Sequence, residues 1–443
     1  MKRQARTPLD VFINANRIGR LSKSSSGVLS FSYADEWLDR PGAGPVSLSL
    51  PTSKQTWSGD PVTFVFENLL PDNTVIRERI AAKRQAAGSD AFSLLSAVGR
   101  DCVGALQFLP EGQAPDRLGV MSGREVTDRE IADLLRDLGS TPLGLGDDDE
   151  FRISIAGAQE KTSLLLQGGK WIIPHGTTPT THILKTPMPL RSDGVDLRQS
   201  CENEHFCMTF LRELGLDAAE TDLKVFEDRK AIAIKRFDRM YREDGYIFRL
   251  HQEDVCQALS LPSSAKYQKD GGPGVERIMG LLSASAEQKS DRETFMTAMV
   301  VYWLLAASDG HAKNFSIHLS RTGAFRMTPL YDVMSLQPVF DAGQIQERKL
   351  RVAMSIGRRN HYGVPEITPR HFLETAEICR FSESGIHEIF ARLIDTSERA
   401  LDRAIEAMPD TFPEALITSI AGGYIARLDL LKRSLANDPE PDF

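Results

Sequence analysis

Ala307-Ser308-Asp309-Gly310-His311-Ala312-Lys313-Asn314-Phe315, followed by Leu330-Tyr331-Asp332, is the stretch on which the reading of this chain turns. An Asp is followed five positions later by an Asn, and a second Asp returns after a short excursion. Within the excursion Phe315, Ile317 and Leu319 alternate, Arg321-Thr322-Gly323 reads as a turn, and Phe325 and Met327 alternate again. A hairpin leaves and returns at one end, so Asp332 is expected beside Asn314. Phosphoryl transfer from a nucleotide needs a carboxylate near the attacking hydroxyl, with an Asn and a second Asp holding Mg²⁺ on the phosphates. Asp309 is therefore the candidate base or hydroxyl-orienting group. Asn314 and Asp332 are candidate Mg²⁺ ligands, as oxygen donors for a hard cation. Taken singly, Asp309 would cap a turn after a buried helix 295–307, and Asn314 would start a strand. Set together around one hairpin, the three outweigh that reading. His311 is a candidate catalytic residue that orients Asp309, and a purely structural histidine is an equal alternative.

Upstream, Thr162 to Gln167, Gly168-Gly169 and Lys170 to Ile173 read as a hairpin, and Thr181 to Lys185 as a third strand stopped by Pro187. Lys185 would reach the α/β-phosphates. Ser200 to Leu214 is a helix with Phe206, Phe210 and Leu214 on one face, closed by Gly215. Its Glu204, with Glu202 as rival, would pair with Lys185 to position the nucleotide; two ordinary surface charges are the alternative. Before the hairpin, Ser154-Ile155-Ala156-Gly157-Ala158-Gln159-Glu160-Lys161 is a small-residue loop. Small side chains let backbone N–H groups approach phosphate oxygens, and Lys161 adds charge. Two more strands flank the turn Glu227-Asp228 and lead into Lys235-Arg236-Phe237-Asp238. That is where an interlobe hinge would meet adenine, with Phe237 beside the base and Lys235 and Asp238 flanking it.

Residues 7 to about 110 read as strand-rich, with strands at Val11-Phe12-Ile13 and Val28 to Phe31 and short helices at Val75 to Lys83 and Ala91 to Val98. A polar helix follows near Asp128 to Leu138, then a Gly/Asp-rich stretch from Gly139 to Glu150. From Gln252 the pattern is mostly helical. The expected class is α+β, a strand-rich lobe followed by a helical lobe as in a protein-kinase-like bilobal fold. The expected divisions are 1–110 for the strand-rich N-terminal part, 111–150 for a connector, 151–250 for a strand-rich N-lobe and 251–443 for a helical C-lobe.

The chain has 443 residues, 41% hydrophobic and 26% charged, with a formal net charge of −8. That is ordinary for a globular protein and argues against nucleic-acid binding through the whole surface. Arg348, Lys349, Arg351, Arg358 and Arg359 form a local basic stretch, read as a solvated face before a nucleic-acid contact. The five cysteines are scattered without zinc-ligand spacing, so reduced thiols in a cytoplasm are expected. The basic start lacks an apolar signal core, and the longest apolar run, Ala298 to Ala307, is too short to cross a bilayer. No membrane association is expected.

The runs Phe151 to Thr162, Gln252-Glu253-Asp254-Val255-Cys256-Gln257, Leu261 to Tyr267, Asp270 to Gly274 and Ser308 to Phe315 together resemble the HipA family, the serine/threonine kinase toxins of bacterial toxin–antitoxin modules. The resemblance implies ATP and Mg²⁺ as cofactors, with Asp309, Asn314, Asp332 and Lys185 at the catalytic, metal and nucleotide positions. It implies an extra N-terminal β-rich subdomain ahead of the kinase-like part, and autophosphorylation at Ser154. It also implies a helix-turn-helix antitoxin dimer of the HipB kind, operator DNA bound through that complex, and an aminoacyl-tRNA synthetase as the protein substrate. One departure is Lys235, which stands where an acidic residue is expected. Two alternatives stay open: a small-molecule or lipid kinase, and a catalytically silent corepressor.

Overall fold

The computed structural model describes residues 7–116, 121–139, 159–243 and 245–437. They form two compact units, each assembled from several chain segments. Unit 1 comprises Met1–Thr186, Asp222–Ala265 and Ser316–Thr328; unit 2 comprises Pro187–Thr221, Lys266–Phe315 and Pro329–Phe443. Segments 151–250 and 251–443 therefore each contribute to both units.

Unit 1 begins with strands β1 (Leu9–Ile13), β2 (Asn16–Lys23), β3 (Leu29–Tyr33), β4 (Thr56–Ser58) and β5 (Leu106–Pro110), ordered β4-β3-β2-β1-β5 in one sheet. β3 buries Leu29, Phe31 and Tyr33 and leaves Ser30 and Ser32 half-buried, as a strand with one core-facing side should. β1 lies between β2 and β5 and is buried along nearly its whole length. Helices α1 (Asp35–Leu38), α2 (Asp60–Glu67), α3 (Thr74–Lys83) and α4 (Ala91–Val98) complete this part. Asn73 and Asp90 start α3 and α4 by accepting from backbone N–H groups of the first turn.

The second sheet runs β10-β11-β9-β7-β8-β6. Its strands are β6 (Gly123–Glu125), β7 (Lys161–Gln167), β8 (Lys170–Pro174), β9 (His182–Lys185), β10 (Thr221–Phe226) and β11 (Arg229–Lys235), with α5 (Asp128–Arg136) following β6. The β7–β8 turn works because Gly168 and Gly169 both take positive φ, +58° and +78°. Both sheets share one core, from Phe31, Phe66 and Phe108 to Leu164, Leu184 and Phe226. β12 (Arg239–Tyr241) and β13 (Ile247–Arg249) form a small ribbon. β14 (Gln252–Asp254), preceding α7 (Val255–Ala258), pairs with the hairpin β15 (Ser316–Leu319) and β16 (Phe325–Met327). The Thr328 N–H donates to the Ser316 carbonyl at 3.0 Å and closes the hairpin's base.

Unit 2 is helical: α6 (Ser200–Glu213), α8 (Val275–Leu282), α9 (Gln288–Leu305), α10 (Gln337–Asp341), α11 (Pro369–Ile378), α12 (Glu383–Glu406) and α13 (Glu414–Asn437). α9 is buried continuously from Phe295 to Leu305, so it is the unit's central helix. Phe210 of α6 meets Tyr424 of α13 edge-on at 4.8 Å, and the Tyr424 hydroxyl shares a 2.7 Å hydrogen bond with Ser397 of α12. The helical expectation past Gln252 omits the short strand β14 and a ribbon, β17 (Arg351–Ile356) with β18 (His361–Gly363). Arg351 of the basic stretch lies 5.6 Å over the Tyr362 ring, and Arg358 pairs with Glu377, as on a solvated face.

Candidate active site

α9 ends at Ala306, whose φ of +52° turns the chain out of the helix. Ser335 pairs with Ala307 across an isolated bridge, and its hydroxyl donates to the Leu305 carbonyl at 2.6 Å. Gly310 then crosses the face of Tyr302 so closely that a Cβ there would lie 2.6 Å from a ring carbon. A side chain at 310 would push the loop away. The loop closes on itself as a short 3₁₀ turn, Ala312–Asn314. The Asn314 side-chain N–H donates to the Asp309 carbonyl at 2.7 Å, so these two residues are tied directly. With the amide nitrogen committed, the amide oxygen is the end available to a cation.

Asp332 comes back to this loop. The Tyr331 hydroxyl donates to the Lys313 carbonyl at 2.8 Å, the link next to Asn314. On one side Leu330 is pinned by backbone bonds to Asp217 and Ala219, each 2.8 Å. On the other, Asn203 of α6 clasps the Ser335 backbone in both directions at 2.8 Å. Between these anchors Asp332 holds φ +61°, a left-handed conformation uncommon outside glycine and concentrated at functional sites.

The burial pattern separates the parts. His311 and Asn314 are buried, whereas the Asp309 side chain is 44% exposed. His311 Nε2 lies 3.8 Å from Asp309 Oδ1, too far for a hydrogen bond. Burial lowers the imidazole pKa, with Asp309 partly offsetting it, so the ring is neutral at pH 7. His311 is placed as a support under the loop. Tyr267, to which the sequence reading assigned no role, donates its hydroxyl to Asp309.

The nucleotide candidates lie in unit 1. Lys161 of β7 and Lys185 of β9 are register partners, directly opposite each other, and both are buried. Directly opposed residues point to the same face of a sheet, and a face carrying two ammoniums at that spacing suits a polyanion. Glu202 and Glu204 are buried on α6, in unit 2. Ser154, Ile155, Ala156 and Gly157 lie outside the described residues. Lys235 is exposed at the end of β11, and the Phe237 ring stands edge-on to His318 at 5.9 Å.

Asp238 is placed differently from the expected nucleotide contact. Its carboxylate is 3% exposed and accepts from Arg236 at 2.7 Å and from the Gly104 N–H at 2.6 Å, with Arg239 at 3.0 Å. Asp101 stands in the same cluster, 2.9 Å from both Arg239 and Arg249 and 3.4 Å from Arg236. Burial alone would raise both carboxyls, but the surrounding guanidiniums overcome it and hold them below the usual range. The Asp238 side chain is thus committed to a buried ion cluster joining the N-terminal part to the segment after β11.

The described residues contain no group of three or more His, Cys, Asp or Glu suited to a metal. A nucleotide-bound Mg²⁺ asks for only one or two protein oxygens besides its phosphates, and Asn314 with Asp332 is a donor set of that chemistry. All five cysteines are buried thiols outside any disulfide. No helix among the described residues is long and apolar enough to cross a membrane.

Fold and relatives together define the class: the protein is a kinase, α+β and protein-kinase-like, with an added N-terminal domain. Residues 9–109 match the HipA N-terminal domain and residues 153–401 the HipA-like C-terminal domain. The chain belongs to the HipA family. It is 31% identical to the putative kinase Y4mE of Sinorhizobium fredii, over 96% of this chain and 99% of that one. It is 26% identical to the serine/threonine-protein kinase toxin HipA of Shewanella oneidensis, over 76% and 77% of the two chains. In fold it resembles HipA from the Shewanella oneidensis MR-1 complex of HipA, HipB and operator DNA, with TM-score 0.78 over 97% of each chain at 22% identity.

Proposed function

We propose that this protein is an ATP- and Mg²⁺-dependent serine/threonine protein kinase and the toxin of a toxin–antitoxin module. The observation that carries the reading is the Asp309–Asn314 tie, with the Tyr331 hydrogen bond bringing Asp332 back to the same loop. The exposed Asp309 carboxylate orients the attacking hydroxyl and accepts its proton as the oxygen bonds to the γ-phosphorus and ADP departs. Asn314 and Asp332 would hold Mg²⁺, whose positive charge would offset the negative charge of the phosphates. Lys161 and Lys185 would bind the phosphate chain, and the backbone around Lys235 and Phe237 would meet the adenine.

The HipA resemblance supports a helix-turn-helix antitoxin of the HipB kind as partner, and the related HipA is described in complex with HipB and operator DNA. The net charge of −8 fits a chain that reaches DNA through such a partner rather than alone. An aminoacyl-tRNA synthetase is the proposed protein substrate, and Ser154 the proposed site of autophosphorylation. A phosphate there adds about −1.5 to −2 charges near pH 7, which would repel nucleotide phosphates and switch the enzyme off.

Incubating the protein with labelled ATP, alone and with candidate synthetases, tests this. Label should enter Ser154 and a synthetase with the wild type. In Asp309→Asn, transfer should drop by a factor of about 100 or more, with the melting temperature unchanged. Near-normal transfer by folded Asp309→Asn would overturn the assignment, and a wild type inert toward every acceptor would favour a silent corepressor.

A further inference from the structure

Asp309 is held at one of its two oxygens. The Tyr267 hydroxyl donates to Oδ1, and His311 Nε2 approaches the same oxygen to 3.8 Å. Tyr267 comes from a segment 42 residues earlier in the chain, so this is a built tertiary contact.

Its ring is fixed as firmly as its hydroxyl. It stands edge-on to the His311 ring at 4.8 Å and 82°. The carbonyl before it, on Lys266, accepts from the Ala312 N–H at 3.1 Å, stitching the segment to the catalytic loop. The Tyr267 carbonyl accepts from Asp270 and Gly272, at 3.0 and 2.9 Å, making a tight turn. The side chain of the next residue, Gln268, anchors that turn by accepting from the Ser355 N–H at 2.7 Å. The ammoniums of Lys266 and Lys269 each lie 5.5 Å from the ring centroid.

We infer that Tyr267 is a positioning residue for phosphoryl transfer: it locks Asp309 Oδ1 so that Oδ2 faces the substrate hydroxyl. A carboxylate on an exposed loop otherwise rotates about its Cβ–Cγ bond and presents either oxygen. One strong donor on Oδ1 removes that freedom before substrate arrives, and orientation fixed in advance lowers the barrier. The two ammoniums over the ring draw electron density from the phenol and make its O–H a better donor. The inference rests on the reading of Asp309 as the group that handles the attacking hydroxyl.

Tyr267→Phe is the test, because it keeps the ring, its packing on His311 and its cation contacts, and removes only Oη. Transfer of label from γ-labelled MgATP to the chain itself, and to water, is measured for wild type, Tyr267→Phe, Asp309→Asn and the double variant. In Tyr267→Phe the kcat should fall about tenfold to a hundredfold, as for one lost hydrogen bond to a charged group. The KM for ATP and the melting temperature should stay at wild-type values. The double variant should be no slower than Asp309→Asn. A wild-type kcat in Tyr267→Phe, with Asp309→Asn inert, would sink the inference and leave the Asp309 reading standing. A loss spread over KM and melting temperature would make Tyr267 merely structural and also overturn it. An active Asp309→Asn would instead remove the reading beneath it.

Discussion

At the scale of single residues, Asp332 shows how conformation and chemistry are coupled. Its φ of +61° is a backbone state that Asp and Asn tolerate better than most side chains. Asp332→Asn should therefore keep the fold, with a melting temperature within about a degree of wild type, since exposed or tolerated changes are usually nearly neutral. It removes the charge that would hold Mg²⁺, so affinity for MgATP should fall by about tenfold or more, as for losing about 1.4 kcal/mol of binding. Titration of MgATP against both proteins checks this, and unchanged affinity would remove Asp332 from the metal set. The two aspartates and Asn314 were legible because their spacing is local and a hairpin explains the gap. Tyr267 was not, because nothing within 42 residues of it announces the contact with Asp309.

Among the elements, the strand pairings were the easier part to read. The Gly168-Gly169 turn and the alternation at Phe315 to Met327 are short-range patterns, and both hairpins form with the expected pairing. The ribbon β17–β18 escaped notice because it is joined by the polar run Arg358-Arg359-Asn360 and has a register irregularity. The cluster around Asp238 escaped because its members are distant in sequence: Asp101 lies 135 positions from Arg236 and 148 from Arg249. Local sequence suggested a hinge contact for Asp238, whereas three guanidiniums needed buried carboxylates. Breaking such a cluster leaves a charge buried without its counter-ion. Asp101→Asn should cost about 3 to 5 kcal/mol of stability, read as a lower midpoint in urea. A loss below about 1 kcal/mol, the range of exposed pairs, would show the cluster to be incidental.

For the molecule as a whole, β14 carries a dependence on pH. Glu253 is buried and accepts from the Leu48 N–H at 2.9 Å. Burial pushes its carboxyl from an ordinary 4.5 up to about 8. Between those values the folded chain keeps a proton that the unfolded chain has lost. The stability owed to this group is full below pH 4.5 and declines as pH rises toward 8, by about 1.4 kcal/mol per unit. Its neighbour His251 runs the other way: burial lowers it from 6.5 to about 4, so its contribution is full above 6.5 and lost as pH falls. Glu253→Gln keeps an acceptor for Leu48 and cannot ionise. Its melting temperature relative to wild type should rise steadily between pH 5 and pH 8, and a constant difference across that range would contradict the buried proton.

The interleaving of the two units reaches beyond the finished molecule to how it is made. Unit 1 takes its last segment from Ser316–Thr328, after the chain has already laid down Lys266–Phe315 of unit 2. On the ribosome, β14 waits for β15 until residue 319 has emerged, and the three-stranded sheet is whole only after Met327. Asp332 and the helices α10 to α13 come later still. A nascent chain stalled before that point, or a product clipped there, holds neither a complete first unit nor the second aspartate. Fragments ending at residue 315 should bind no MgATP and transfer no phosphate, and an active fragment of that length would refute this. Under the proposed kinase reading, activity would therefore first arise late in translation, once the last segment of unit 1 and Asp332 are both in place.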